Sequence, residues 1–120
     1  MAAEYEIGDE IQPFVSGSLY RGVRKADGLP VVIKRYRSDR SEEQSAVLRE
    51  YEMLRSLDIR GVASARELVE HRDATDLVMD LVPGQSLRRL MAMGGLSLEE
   101  CLDLGAQLAA ALSELHAESI

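Results

Sequence analysis

Three segments with the sequence pattern of β-strands follow one another near the start of the chain, joined by short connections. The segments cover Tyr5–Ile11, Leu19–Lys25 and Pro30–Tyr36. Residues 12–18 are rich in turn formers and predict a loop, and residues 26–28 contain the Asp-Gly pair of a β-hairpin. Parallel neighbours need a crossover of about a dozen residues or more. The sequence therefore predicts an antiparallel meander and excludes a parallel dinucleotide-binding sheet.

The hydrophobic periodicity changes to that of helices after residue 40. A capping-box pattern at Ser41–Gln44 precedes apolar residues at helical spacing and predicts an amphipathic helix over residues 41–57. The remaining predicted elements are strands at about 65–71 and 76–82, a short helix at about 86–93, and a long helix at about 97–118 that begins with a second capping box. The predicted order β-β-β-α-β-β-α-α is an α+β fold.

The composition excludes several classes of protein. With 46% apolar and 29% charged residues, the 120-residue chain is typical of a globular protein rather than a disordered one. Its net charge of −7 argues against generic nucleic-acid binding, which requires a basic face. There is no membrane-spanning apolar run and no secretory signal at the start, and Cys101 is the single cysteine, so we expect a cytoplasmic protein. Cys101 lies on the apolar stripe of the last predicted helix and is expected to be buried.

Two charged residues lie at positions that are expected to be partly buried, where an unpaired charge is costly. Lys34 ends the apolar run of the third strand, and Glu50 lies near the apolar face of the helix, three residues after Val47. A helix packed on the sheet would bring them together as an ion pair. Alternatively, Lys34 extends past the sheet towards water and Glu50 lies at the helix edge. Spacing alone leaves both interpretations open.

The order of these patterns resembles the N-terminal lobe of a protein kinase. Val31-Val32-Ile33-Lys34 is similar to the Val-Ala-Ile-Lys motif of the third kinase strand, and Glu50-Tyr51-Glu52-Met53-Leu54 is similar to the helix segment that follows it. Leu77–Gly84 resembles the fifth strand and the hinge. Leu115-His116 resembles the end of the long helix before the catalytic loop. The resemblance extends in order over the whole chain, and it implies a five-stranded antiparallel sheet with one helix on it.

The resemblance implies a nucleotide site. In kinases the third-strand lysine contacts the phosphates of ATP and is held by the helix glutamate, which makes Lys34 and Glu50 the implied catalytic residues. The implied nucleotide-binding residues are Gly17, Ser18, Val23, Val32, Lys34, Met79, Asp80 and Val82, with Met79 as gatekeeper and residues 80–82 offering backbone groups to adenine. The implied cofactor is ATP. Mg²⁺ is expected only with the C-terminal part of a kinase domain, and no metal ligand is assigned in this chain.

The sequence departs from the kinase pattern in the glycine-rich loop. The family motif is Gly-x-Gly-x-x-Gly-x-Val, and the matching stretch here is Gln12–Leu19. Gln12 and Phe14 stand where the first two glycines would be, and only Gly17 is kept. A close approach of backbone to phosphate is therefore less favoured here. The hydroxyl groups of Ser16 and Ser18 offer hydrogen bonds to phosphate instead, although a plain polar turn explains them equally.

The resemblance implies a protein Ser/Thr kinase, which transfers the γ-phosphate of ATP to protein hydroxyls in bacterial signalling. Three segments also resemble, more loosely, large bacterial proteins that combine a kinase-like domain with an ATPase domain, a sensor domain and a histidine kinase. They are Tyr20-Arg21-Gly22, Arg49-Glu50-Tyr51-Glu52 and Ile59-Arg60-Gly61-Val62. The alternatives are a non-catalytic pseudokinase or regulatory binding module, and a small-molecule phosphotransferase of the same fold.

The resemblance also predicts where the chain falls within a kinase domain. Residues 5–82 would form the N-terminal lobe and hinge, and residues 83–120 the start of the C-terminal lobe, so that 1–120 is a partial domain ending about two residues before the catalytic loop. We therefore expect these 120 residues to be inactive alone and to need the rest of the C-terminal lobe as a partner. The wide apolar stripe of the last helix predicts an exposed apolar patch.

Overall fold

The computed structural model describes residues 4–37 and 41–120. Its elements are β1 (Tyr5–Phe14), β2 (Gly17–Arg24), β3 (Pro30–Arg37), α1 (Ser41–Arg55), β4 (Ala65–Glu70), β5 (Ala74–Asp80), α2 (Leu87–Ala92) and α3 (Leu98–Ala117). Their order confirms the predicted α+β succession, and most boundaries agree within two residues. None of the described helices has the length and apolar character needed to cross a membrane.

The five strands form a single antiparallel sheet in the order β1-β2-β3-β5-β4. Strand β3 lies at the centre, with Lys34 opposite Leu19 of β2 and Leu77 of β5. Because side chains alternate along a strand, Val32, Lys34 and neighbouring alternate residues share one face, which we call the helix face because α1 packs on it. The other face, here called the opposite face, carries Val31 and Ile33.

Each face of the sheet has its own apolar cluster. On the helix face, Val47 of α1 is almost fully buried with Ala65 and Leu77. The partly buried side chains around them are Tyr36, Tyr51, Leu54, Leu68 and Met79. On the opposite face, Val31, Ile33 and Val78 form the second cluster. The burial of Val47 confirms that the predicted apolar stripe of α1 faces the sheet.

The predicted loop over residues 12–18 is wrong. Strand β1 continues to Phe14 and pairs through Pro13↔Ser18 and Phe14↔Gly17, which leaves only Val15 and Ser16 in the turn. A proline is compatible with this strand because β1 lies at the edge of the sheet, where its missing N–H costs no ladder bond. Backbone and side-chain bonds from Arg37 to the carbonyls of the two turn residues tie the hairpin to β3.

Helix starts follow the predicted capping chemistry where the structure describes them. At α3, the Ser97 hydroxyl accepts the Glu100 N–H at 3.1 Å, and the Glu100 carboxylate accepts the Ser97 N–H at 2.9 Å. This reciprocal pair confirms the second capping box. The first predicted box, at Ser41–Gln44, involves side chains outside the described part of the structure.

The chain divides into two compact units. The first comprises the described residues up to Leu57 together with Ala63–Leu81, and it contains the whole sheet and α1. The second comprises Asp58–Val62 and Val82–Ile120, with α2 and α3.

The last helix, α3, confirms the predicted apolar patch. Four of its leucines are more than half exposed: Leu98, Leu102, Leu108 and Leu112. Cys101 is also exposed, so the prediction that it is buried is wrong. That prediction depends on the apolar stripe of α3, and the stripe is itself largely exposed.

We expect Gly17→Ala to destabilise the first unit. A Cβ at residue 17 would lie 1.8 Å from the carbonyl oxygen of Arg35, which is backbone and cannot move without distorting β3. Overpacking of this kind costs about 1–3 kcal/mol or more. Denaturant unfolding followed by circular dichroism measures the loss. Ser18→Ala, in the same hairpin, is the matched control and should change stability little. Equal stability of the two variants would contradict the close contact.

Candidate functional site

The predicted ion pair between Lys34 and Glu50 is present. The Lys34 Nζ lies 3.1 Å from Oε1 and 3.4 Å from Oε2 of Glu50. Both side chains are about one-quarter exposed, at 26% and 27%. Of the two interpretations left open by the sequence, the pair is therefore confirmed. An ammonium group has three N–H donors, so the carboxylate leaves at least one donor for another acceptor.

The pair is positioned by apolar packing on either side of it. Val47, one helical turn before Glu50, is buried against Leu77 in the cluster of the helix face. Leu54, one turn after Glu50, packs against the same cluster. Lys34 is directly opposite Leu77 across the β3–β5 ladder. Burial of the flanking residues thus fixes the distance between the strand that carries the lysine and the helix that carries the glutamate.

Two aromatic side chains complete the surroundings of Lys34. The Tyr36 hydroxyl donates to Glu50 Oε2 at 2.6 Å. The rings of Phe14 and Tyr36 are in edge contact, with centroids 5.2 Å apart at 69°. The Lys34 Nζ is 5.5 Å from the Phe14 centroid and 5.2 Å from the Tyr36 centroid, within the range of cation–π attraction. The ammonium is therefore held by one carboxylate and two aromatic rings.

The charges and burial at this cluster shift two pKa values. Burial lowers the pKa of Lys34, but the proximity of Tyr36 and Glu50 outweighs burial and raises the pKa above its ordinary value. Burial and the hydrogen bond to Glu50 raise the pKa of the Tyr36 phenol. Because the pKa of Lys34 is raised on folding, the stability it contributes is present below the pKa of the unfolded chain. That contribution is lost as pH rises through the folded value.

Apolar side chains extend from Lys34 along the helix face. Val32 lies opposite Met79 of β5, and Leu19 of β2 lies opposite Lys34. All three apolar side chains are partly exposed. Val23 is on the same face but lies opposite Pro30, at the other end of β2 from Leu19. Arg21 also lies on this face, opposite Val32. The surface therefore combines apolar side chains with two cationic ones, Arg21 and Lys34, which suits a ligand with a flat apolar group and anionic groups.

Gly17 and Ser18 present no side chain to the helix face, unlike Val23, Val32 and Lys34. Ser18 is opposite Arg35, which places its side chain on the opposite face of the sheet from Lys34. Its hydroxyl donates to Glu10 at 3.1 Å. Gly17 lies against the backbone of β3, and the lack of a Cβ is what permits this contact. Any contact of this pair with a ligand on the helix face would have to come from the backbone.

The predicted hinge residues fall in both compact units. Met79 and Asp80 end β5, where the Asp80 carboxylate forms an ion pair with Arg66 and the Asp80 N–H donates to the Ser64 carbonyl at 3.1 Å. Val82 belongs to the second unit and is 65% exposed. Within the described ranges, no group of three or more His, Cys, Asp or Glu side chains could hold a metal ion.

Tyr36 and Leu19 contribute to this site and are not among the residues predicted from the sequence. Each carries its own signal in the sequence. Tyr36 follows Lys34 by two residues in one strand and so shares its face. Leu19 occupies the valine position of the glycine-loop pattern, two residues after Gly17, whereas the prediction named Val23. Phe14 was noted only as a departure from a glycine motif, because its contact with Tyr36 depends on the tight hairpin that the sequence did not predict.

The family to which the sequence is similar has the same arrangement of a strand lysine and a helix glutamate. The family described as the protein kinase domain matches residues 6–120, which is nearly the whole chain. The chain therefore belongs to the protein kinase family and has the phosphotransferase fold of that family. No curated protein matches the chain.

We expect Glu50→Gln to lower the pKa of Lys34, because the substitution removes the negative charge that offsets burial while keeping the side-chain size. Acylation of Lys34 by a soluble activated ester, followed by mass spectrometry over a pH series, measures this pKa, since only the neutral amine reacts. Lys25, whose side chain is 55% exposed, provides a reference in the same spectra. A Lys34 midpoint identical to that of the wild type would contradict the interpretation.

Proposed function

We propose that this chain is the ATP-binding part of a protein Ser/Thr kinase domain. The observation that carries the proposal is the Lys34–Glu50 pair, held on the helix face of the sheet beside an apolar surface. A lysine fixed by a carboxylate supplies a positive charge for phosphate groups, and a partly exposed apolar surface can contact a base. When bound, ATP would supply the phosphoryl group for transfer to a protein hydroxyl.

The roles of individual residues follow from their positions. Lys34 would contact the phosphates and Glu50 would hold the lysine in place. Val32, Leu19 and Met79 would contact the adenine from the helix face, with Met79 as the gatekeeper. Backbone groups between Asp80 and Val82 would bind the adenine edge. Gly17 and Ser18 would act through their backbone, since the Ser18 side chain lies on the opposite face.

We place the proposed activity in bacterial signalling, in the cytoplasm.

In this family, phosphoryl transfer requires a catalytic-loop Asp, an Asn and a second Asp that binds magnesium, in addition to the lysine and the glutamate. Leu115-His116 is the last family motif that the 120-residue sequence resembles, and the given residues contain none of those later motifs. The remainder of the C-terminal lobe is therefore the proposed partner, and Mg²⁺ would be bound with its residues.

A second function is favoured by one observation. Phe14 stands in place of a glycine, and its ring lies beside Lys34 and Tyr36. An aromatic ring over the lysine reduces access of phosphate to the ammonium, which suits a non-catalytic regulatory module of the same fold. Nucleotide binding separates the two functions, because the regulatory module does not need to bind the ATP phosphates.

We expect Lys34→Met to weaken ATP binding by about 10- to 100-fold, the value of one charge-assisted hydrogen bond. Isothermal titration calorimetry with ATP, with and without Mg²⁺, measures this. Adenosine, which has no phosphate, should bind the variant as it binds the wild type. Lys25→Met removes an exposed lysine outside the site and is the matched control. Equal ATP affinity in wild type and Lys34→Met would refute phosphate binding by Lys34.

We expect the 120-residue chain to transfer no phosphate by itself, because the catalytic-loop motif is not found in its sequence. Incubation with radiolabelled ATP and a general protein substrate, followed by electrophoresis, provides the measurement. Lys34→Met, assayed in parallel, identifies any signal from a contaminating kinase. Transfer by the wild type that disappears in Lys34→Met would show that the chain is active alone.

A further inference from the structure

The Tyr36 hydroxyl and the Lys34 ammonium share one carboxylate, that of Glu50. The hydrogen bond from the Tyr36 hydroxyl to Glu50 Oε2, at 2.6 Å, is shorter than either contact between Lys34 and the same carboxylate, at 3.1 and 3.4 Å. Tyr36 and Lys34 are alternate residues of β3 and so approach Glu50 from one side. The carboxylate is thus held by two donors from a single strand.

The Tyr36 ring is itself fixed. It is packed in the apolar cluster of the helix face, and its edge contact with Phe14 restricts its rotation. A hydroxyl on a fixed ring is a fixed donor, whereas the lysine side chain has four rotatable bonds. Of the two donors to Glu50, Tyr36 is therefore the one that determines where the carboxylate lies.

The orientation of the carboxylate affects the lysine. Glu50 is 27% exposed, so without the tyrosine hydroxyl one of its oxygens can turn towards water. The ammonium would then lose part of the attraction that offsets its burial. A lysine that moves with its partner is also less well placed to bind an anion, because part of the binding free energy is then spent on ordering the side chain.

We propose that Tyr36 is a positioning residue that orients Glu50 and, through Glu50, the ammonium of Lys34. That the ammonium binds the phosphates of ATP rests on the proposed function above. The orientation of Glu50 by Tyr36 does not depend on that function, and it can be measured without nucleotide.

The first experiment is the pH dependence of Lys34 acylation in Tyr36→Phe. This variant keeps the ring and its packing and removes only the hydroxyl. We expect the Lys34 midpoint to fall by about half a pH unit, which corresponds to an acylation rate about threefold higher at a pH below the midpoint. The hydroxyl also lies close enough to Lys34 to raise its pKa directly, so Tyr36→Phe is compared in the Glu50→Gln background as well. A positioning role predicts no further fall there, and an equal further fall would overturn the proposal. Tyr51→Phe is the matched control, because Tyr51 packs in the same cluster and no hydrogen bond of its hydroxyl is seen among the described residues. A midpoint in Tyr36→Phe equal to that in Tyr51→Phe would overturn the proposal.

A second measurement needs no change at Tyr36 and so does not depend on the folding of that variant. The chain has four tyrosines and no tryptophan, so the absorbance change of phenol ionisation is free of tryptophan background. The pKa of Tyr36 is raised in part by Glu50. Glu50→Gln should therefore shift one tyrosine of the titration curve to lower pH. A titration curve identical to that of the wild type would overturn the contact on which the proposal depends.

The nucleotide experiment separates this proposal from the proposed function. Tyr36→Phe should weaken ATP binding about three- to tenfold in otherwise wild-type protein, and it should cause no further loss in the Lys34→Met background. An additional loss in that background would show that Tyr36 acts on the ligand directly, which contradicts a positioning role. If the wild type binds no ATP, the proposed function fails, and the Lys34 midpoints still decide the role of Tyr36.

Discussion

The central strand β3 is the constraint on which the rest of the first unit depends. It is hydrogen-bonded on both sides, to β2 and β5, and its alternate residues enter different environments. Val31 and Ile33 are buried in the apolar cluster of the opposite face, while Lys34 and Tyr36 face α1. A shift of one residue in the register would place the lysine in the apolar cluster and the isoleucine beside Glu50. Burial of the two apolar residues therefore fixes which residue meets the helix.

The Lys34–Glu50 ion pair contributes little to the stability of the fold. Ion pairs between solvent-accessible groups contribute about 0.2–1 kcal/mol, and partial burial of both charges offsets some of that. Burying one Val or Leu side chain contributes about 1.5–3 kcal/mol, so Val47 and Leu77 do far more to hold α1 on the sheet. The pair depends on that packing for its geometry. The proposed role of the pair is accordingly in binding, since its contribution to folding is small.

The sequence predicts the succession of elements well, because each has a local signal. Alternation, the Asp-Gly turn and the Ser97–Glu100 capping box are set by neighbours in the chain. Spacing alone does not decide whether Lys34 and Glu50 are in contact, and the kinase resemblance is what predicts the contact. Prediction failed where distant contacts override local signals. Residues 12–14 have turn-like composition, but pairing with β2 holds them in a strand.

The missed site residues have the same cause. Phe14 contacts Tyr36 only because the hairpin turn is two residues long, and that length depends on the Gly17 backbone lying against β3. The same limit explains Cys101, which is no part of the site: the stripe of α3 predicts that it is buried, and it is exposed. Periodicity indicates which side of a helix is apolar, but it does not show whether anything covers that side.

The aromatic surroundings of Lys34 bear on how the proposed site would work. Cation–π contacts contribute about 0.5–2 kcal/mol, depending on how far the ammonium is desolvated. A hydrogen bond between an ammonium and a charged acceptor contributes about 1.5–3 kcal/mol. A phosphate group can therefore compete for the ammonium even where it must displace the ring of Phe14, although with reduced affinity. Phe14 at a glycine position would thus tune phosphate binding, while the hydrogen bond from Tyr36 would keep Glu50 in place whether or not the Phe14 ring moves.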